Sequence, residues 1–163
     1  MNNSTNNRAV GRFRTIAAVL VLLSRKTENG TEYLLQKRQN TGFADGMWDF
    51  SASGHVEGGE SMIMTVCRET KEEINVDILP EDVEFMGLLH ELGNDGEPRF
   101  LGCFKVNNYS GEIKIGEPEK IAELKWFNEN DLPDNIIDSR ENALRRFRED
   151  GIFYQESGWD KQK

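Results

Sequence analysis

Apolar residues run almost unbroken from Ile16 to Leu23, and Thr15 to Leu23, rich in Ile, Val, Leu and Ala, is predicted as a buried strand. Lys26 to Thr31 holds the turn pair Asn29-Gly30, so Glu32 to Gln36 is expected as a second strand paired to the first. Further on, Ile63, Cys67, Thr70 and Ile74 recur at i, i+4, i+7 and i+11, the inward stripe of a helix for which Ser61 is the expected N-cap. Phe85 to Leu92 and Phe100 to Val106 are expected strands, joined at the turn Gly93-Asn94-Asp95-Gly96. Ala122 to Phe127 is a last strand before Asp131-Leu132-Pro133, and Ile136 to Glu149, apolar at 136, 137, 144 and 147, a second helix. Strands, a helix, more strands and a final helix predict an α/β fold with a mixed sheet between helices.

Neither an internal repeat nor a linker divides the chain, so one domain is expected over 11–155. An Asn-rich disordered tail is expected over 1–10, and a C-terminal tail over 156–163 in which Trp159 packs on the domain. With 163 residues, 37% hydrophobic and 30% charged, the chain has the make-up of a soluble globular protein able to bury a core. The longest apolar run is too short to span a membrane, and the polar N-terminus carries no secretory pattern. Cys67 and Cys103 fall in a predicted helix and strand rather than a spaced framework, so both are expected reduced, in a cytoplasmic protein. A formal net charge of −9 argues against binding a nucleic-acid polymer, which calls for a basic stripe. An acidic protein that acts on phosphates needs metal ions and a few placed arginines instead.

The chemistry concentrates between Gly54 and Val76. Gly54, Gly58 and Gly59 form a glycine-rich turn, Glu60 follows it, and Arg68, Glu69, Glu72 and Glu73 stand on the helix behind. Carboxylates at 69, 72 and 73 share one side of a turn and a half, where like charges cost about 0.2–0.5 kcal/mol per pair. A hard divalent cation reverses that sign. A charge run of this kind also fits the solvated face of an amphipathic helix, but that reading leaves the glycine turn unexplained.

This spacing resembles the Nudix signature, G-x5-E-x7-R-E-U-x-E-E-x-G-U with U a bulky aliphatic residue. Thr70 stands in place of the aliphatic residue after Arg-Glu, and Asn75 in place of the glycine that ends the helix. Asn is the next best left-handed cap, and Thr70 can pack inward if its hydroxyl finds a backbone partner. The resemblance spans roughly Arg14 to Gly151 and implies an α/β/α sandwich and a MutT-like hydrolase of phosphoanhydrides. It implies Mg2+, or Mn2+, on Glu69, Glu72, Glu73 and the Gly54 carbonyl. The substrate is then a small nucleotide, with no nucleic-acid polymer or membrane as partner, and the assembly a monomer or homodimer.

Arg68 is expected to hold a carboxylate by a bidentate contact, or to form an i, i+4 pair with Glu72. Glu60 is open between a helix-mouth anion and an outer metal ligand. The general base falls on Glu69 within the box, or on Glu119 ahead of Glu117 in the loop Gly116 to Lys120. Arg38 and then Arg14 are the candidates for substrate phosphates, and Trp126, Phe127 or Phe13 for stacking a base. His55 and His90 are read as structural.

Residues 88–97 contain neither the proline nor the tyrosine that marks some relatives acting on ADP-ribose or dinucleoside polyphosphates, which tilts toward nucleoside triphosphates. Trp48 to His55 is also similar to the loop of isopentenyl diphosphate isomerases, which use a reactive cysteine there. This chain has none between 40 and 66. A non-catalytic binding module is the remaining alternative, but one that had stopped cleaving would be expected to lose the glutamates.

Overall fold

The computed structural model describes residues 14–162. The long apolar run forms β1 (Ile16–Thr27), buried on both faces because Val19, Val21 and Leu23 enter one core while Ala18, Leu20 and Leu22 enter the other. Its hairpin partner is β2 (Gly30–Arg38), and the turn places Gly30 at φ 109°, where a side chain would be strained. Two very short strands follow, β3 (Trp48–Phe50) and β4 (Ala52–His55). β1 changes partner along its length: Ala18–Val21 pair antiparallel with β4, and Ser24–Thr27 with β2. Ser51, fully buried between β3 and β4, spans the point where the partners separate. It accepts from Leu23 N at 2.8 Å and donates to the Leu34 carbonyl at 2.6 Å, so neither backbone group is left unpaired.

The rest of the sheet comprises β5 (Val83–Leu92), β6 (Pro98–Val106), β7 (Ile121–Asn128) and β8 (Phe153–Ser157). The order is β3-β2-β1-β6-β5-β8, with β4 also on β1 and β7 also on β2. β1–β6 and β5–β8 are parallel and the other pairs antiparallel, so the sheet is mixed as expected. Helix α1 (Met62–Ile74) packs Val66 and Ile74 on the Val19–Val21–Leu23 face. Helix α2 (Asp138–Asp150) packs Ala143 and Leu144 on the Ala18–Leu20–Leu22 face. Helix, sheet and helix make the α/β/α sandwich.

Two expectations change. Ile136 and Ile137 are buried, but they anchor the chain ahead of α2 rather than forming its first turn. The boundary expected at 155 falls inside β8, whose pairing with β5 makes the segment part of the fold. Trp159 beyond it donates to the His90 carbonyl at 3.1 Å and packs on that ring. The tail expected over 1–10 lies outside the described residues.

Candidate active site

α1 begins and ends as its sequence requires. Ser61 Oγ accepts from Met64 N at 3.3 Å, and Asn75 closes the helix in the left-handed region at φ 61°, ψ 27°. Thr70, fully buried, places its hydroxyl on the Val66 carbonyl at 2.8 Å. The packed face differs from the expected stripe, for Ile63 and Cys67 are only partly buried while Glu69 and Glu73 are 9% and 7% exposed. Two carboxylates one turn apart therefore point into the protein, and a solvated charged face does not describe this helix.

Each carboxylate has its own surroundings. Glu60 receives two hydrogen bonds from Arg68, at 2.7 and 2.9 Å, and others from Glu57 N and the Thr65 hydroxyl. The Arg68 contact above all holds its carboxyl down at about 2. Arg68 also reaches Glu69 at 2.7 Å, Glu72 at 3.2 Å and the His55 carbonyl at 3.1 Å. The bidentate clamp thus falls on Glu60, with the Glu72 pair as an addition. Glu73 accepts from Ser53 N at 2.8 Å and from the Gln36 amide at 3.3 Å, but burial, with the charges of Glu69, Glu117 and Asp49, pushes its carboxyl up to about 8. Burial raises Glu69 as well, against the pull of Arg68. Gly54 lies directly beneath Glu69, since a Cβ built there would stand 1.8 Å from Oε1.

Beside these groups lies a cavity of about 480 Å3 whose walls include Ala18, Leu20, Arg38, Gly54, Glu91 and Arg140. A smaller hollow of about 300 Å3 shares Arg38, Thr41 and Ser53 with it and reaches Glu73 and Lys120. The two hollows are neighbours, with Arg38, Thr41 and Ser53 between them, and are together termed the cleft.

The NUDIX domain family model matches residues 13–147. The chain belongs to the NUDIX family. It is 33% identical over 136 residues to the NAD-capped RNA hydrolase NudC of Stutzerimonas stutzeri, covering 81% of this chain and 42% of that protein. It is 28% identical over 120 residues to the isopentenyl-diphosphate Delta-isomerase of Aliivibrio fischeri, covering 71% of this chain and 66% of that one. The chain thus spans less than two thirds of the length of either relative. Among solved structures, the MutT NUDIX hydrolase of Burkholderia pseudomallei superposes with a TM-score of 0.71 at 22% identity, over 82% of this chain and 98% of its own, and so shares the fold.

Within this NUDIX domain Arg38 and Gly54 line the larger cavity and Arg38 and Glu73 the smaller, while Arg68 binds Glu69 and Glu72 next to Gly54. The structure leaves Arg14, Trp126, Phe127 and Glu119 elsewhere. Arg14 is exposed ahead of β1 and does not line the cleft. Trp126 packs on the α1-side core with the Arg25 guanidinium 4.2 Å above its ring, because β7 runs on the far side of β2. Phe127 packs edge-on against Trp48, and Phe13 lies outside the described residues. In the loop, Glu119 is exposed, whereas the half-buried Glu117 acts electrostatically on both Glu69 and Glu73 and pairs with Lys120 at 2.9 Å. The preference for Glu119 is therefore corrected to Glu117. The loop is held there by Gly116, whose N–H binds the Glu73 carbonyl at 2.8 Å and where a Cβ would meet the Glu72 carbonyl at 1.9 Å.

Sequence reasoning missed Asp49, Glu91 and Arg140. The one signal for Asp49 was a charge set between Trp48 and Phe50 in an apolar stretch. As the side chains stand, no three His, Cys, Asp or Glu among the described residues converge on a point. Arg68 binds one oxygen each of Glu69 and Glu72. The donor set nevertheless fits a hard cation: two buried carboxylates made reluctant to ionise chiefly by burial and by neighbouring carboxylates, with the half-exposed Glu72 one turn from Glu69 on the same helix.

Proposed function

We propose that the protein is a metal-dependent hydrolase of a phosphoanhydride in a nucleoside diphosphate linked to another group. Its simplest substrate is a nucleoside triphosphate or modified triphosphate, cleaved to monophosphate and pyrophosphate. The observation that carries this reading is the pair of buried glutamates, Glu69 against Gly54 and Glu73 on Ser53 N, beside cavities that Arg38 lines. A divalent cation, Mg2+ or Mn2+, held by Glu69, Glu72, Glu73 and the Gly54 carbonyl would neutralise phosphate oxygens and acidify water for attack. Arg38, fixed by Asp49 and the Phe43 carbonyl, would bind a phosphate, with Lys120 beside it. Glu117 or Glu69 would take the proton from water. Arg68 positions Glu69 and Glu60 and need not touch substrate.

The NudC relative is named for NAD-capped RNA, which favours a second reading in which the linked group is itself a nucleotide. The isomerase reading finds no support in the cysteines. Cys67 packs at the α1 core, Cys103 is buried with its thiol pushed up to about 12, and neither lines the cleft. The deciding assay separates and quantifies the products, nucleoside monophosphate and its leaving group, formed from nucleoside triphosphates, oxidised nucleotides, ADP-ribose and dinucleoside polyphosphates, with Mg2+ and with EDTA. Turnover of one class that EDTA abolishes is expected. Glu72→Gln, at a half-exposed position, should keep the fold and lower kcat on the order of a hundredfold, the scale of losing one preorganised electrostatic contact. An unchanged rate would remove Glu72 from the metal site.

A further inference from the structure

Beyond Arg38 the cleft is lined by Glu91 and Arg140, two charged residues that the proposed hydrolysis does not use. Asp49, fully buried, accepts from Arg38 Nη1 at 3.1 Å on one oxygen and from Arg140 Nε at 2.9 Å on the other. Arg140, 4% exposed, continues to Glu91 Oε2 at 3.2 Å and to the Ser139 hydroxyl at 2.9 Å. Arg140 and Glu91 both line the cleft. Arg140 Nη2 and Glu91 Oε1 make no hydrogen bond to the described residues. Neither is among the buried side-chain polar atoms without a partner, of which Gln155 Oε1 is the one among those residues, and the two residues that carry them line the same cavity.

These atoms set the chemistry of what fits. A guanidinium only donates, and a carboxylate paired with it only accepts. Two arginines balanced by two carboxylates leave this end without net charge, so it offers no pull on a further phosphate. An isoprenyl tail laid over it would desolvate charged groups and return no hydrogen bond. We infer that Arg140 and Glu91 form a donor–acceptor pair recognising the uncharged polar end of the substrate, an edge with an acceptor beside an N–H donor, as a nucleobase presents. Asp49 is then a positioning residue that aims Arg38 toward the phosphates and Arg140 toward the base. This inference rests on the nucleotide hydrolase reading.

The test compares kcat/KM for nucleoside triphosphates, ribose 5-triphosphate and isopentenyl diphosphate in the wild type and in Glu91→Gln. The wild type is expected to prefer nucleotides over ribose 5-triphosphate by at least about tenfold. In Glu91→Gln that ratio should fall about 10–100-fold, the worth of one hydrogen bond to a charged group, chiefly through KM. Equal efficiency on the two in the wild type, an unchanged ratio in the variant, or preference for isopentenyl diphosphate would overturn the pairing. Should the variant not fold, the wild-type ratios alone decide. If nothing is cleaved, the hydrolase reading fails by itself, and calorimetry with nucleoside monophosphates still judges the pair. Binding weakened in Glu91→Gln supports it, and unchanged or absent binding overturns it.

Discussion

A methyl group at position 54 would occupy the space of the Glu69 carboxylate, 1.8 Å from its Oε1. The neighbour that must give way is the far end of a side chain, so Gly54→Ala should keep the fold within about 1 kcal/mol while turning Glu69 out of the site. A hundredfold or larger fall in kcat/KM, on the order of losing a preorganised contact, with a near-native melting temperature is the expected result. Loss of both together would make Gly54 a folding residue instead. Glu60 gives a pH test at the same scale. Its carboxyl is held at about 2 against an ordinary 4.5, so the stability it contributes is present above pH 4.5 and lost as pH falls toward 2. Glu60→Gln should therefore melt lower than wild type at pH 7 and lose less between pH 4.5 and 2. Parallel acid limbs would show that the Arg68 clamp adds nothing to the fold. That Gly54, Arg68 and the helix glutamates lie beside one another was legible because motif spacing is local. Glu117 and Glu119 were not separable, because which carboxylate of a loop faces a helix depends on backbone docking such as that of Gly116.

Elements were legible in proportion to their length. The twelve residues of β1 and the capped α1 carry enough periods to read, whereas β3, β4 and β8, of three, four and five residues, do not. α1 was placed correctly, and its stripe holds, with Thr70 and Ile74 fully buried and Ile63 and Cys67 partly buried on the same core; what the stripe leaves out is the burial of Glu69 and Glu73. A pattern that counts only apolar residues assigns Glu69 and Glu73 to solvent, and at this site burial serves chemistry rather than the core. Asp49 on β3 shows the same limit from the other side. Its partners come from the end of β2 and from α2, 91 residues away along the chain, so no window of sequence contains the network. Asp49→Asn keeps the shape and removes the charge that offsets Arg38 and Arg140. Breaking one side of a buried pair costs about 3–5 kcal/mol, a fall in melting temperature of roughly 6–20 °C for a chain of this size. Thermal unfolding followed by circular dichroism measures it, and a fall below about 3 °C would mean that water reaches Arg140 and relieves it.

At the scale of the whole molecule, a chain of formal charge −9 keeps two glutamates buried one turn apart, which couples stability to pH and, on the proposed function, to metal as well. Glu73 titrates at about 8 in the fold against an ordinary 4.5, so between these values the folded state holds the extra proton. Without metal, the stability linked to Glu73 is full below pH 4.5 and declines as pH rises to about 8. A cation that binds only the folded protein adds stability in the opposite direction, about 2.7 kcal/mol at a hundred times its Kd, and it binds more readily once Glu73 has lost its proton. The Mg2+-induced rise in melting temperature should therefore be larger at pH 8.5 than at pH 6, and EDTA should erase it. Glu73→Gln carries no charge to desolvate, so in EDTA at pH 8.5 it should be more stable than wild type by on the order of 2–4 kcal/mol, and it should gain little from Mg2+. Melting curves of both proteins at the two pH values, with and without the metal, are sufficient. If wild type gains equally from Mg2+ at both pH values, or Glu73→Gln gains as much as wild type, the ion does not bind through the buried carboxylate, and the repulsion between Glu69 and Glu73 must be offset by the protein alone.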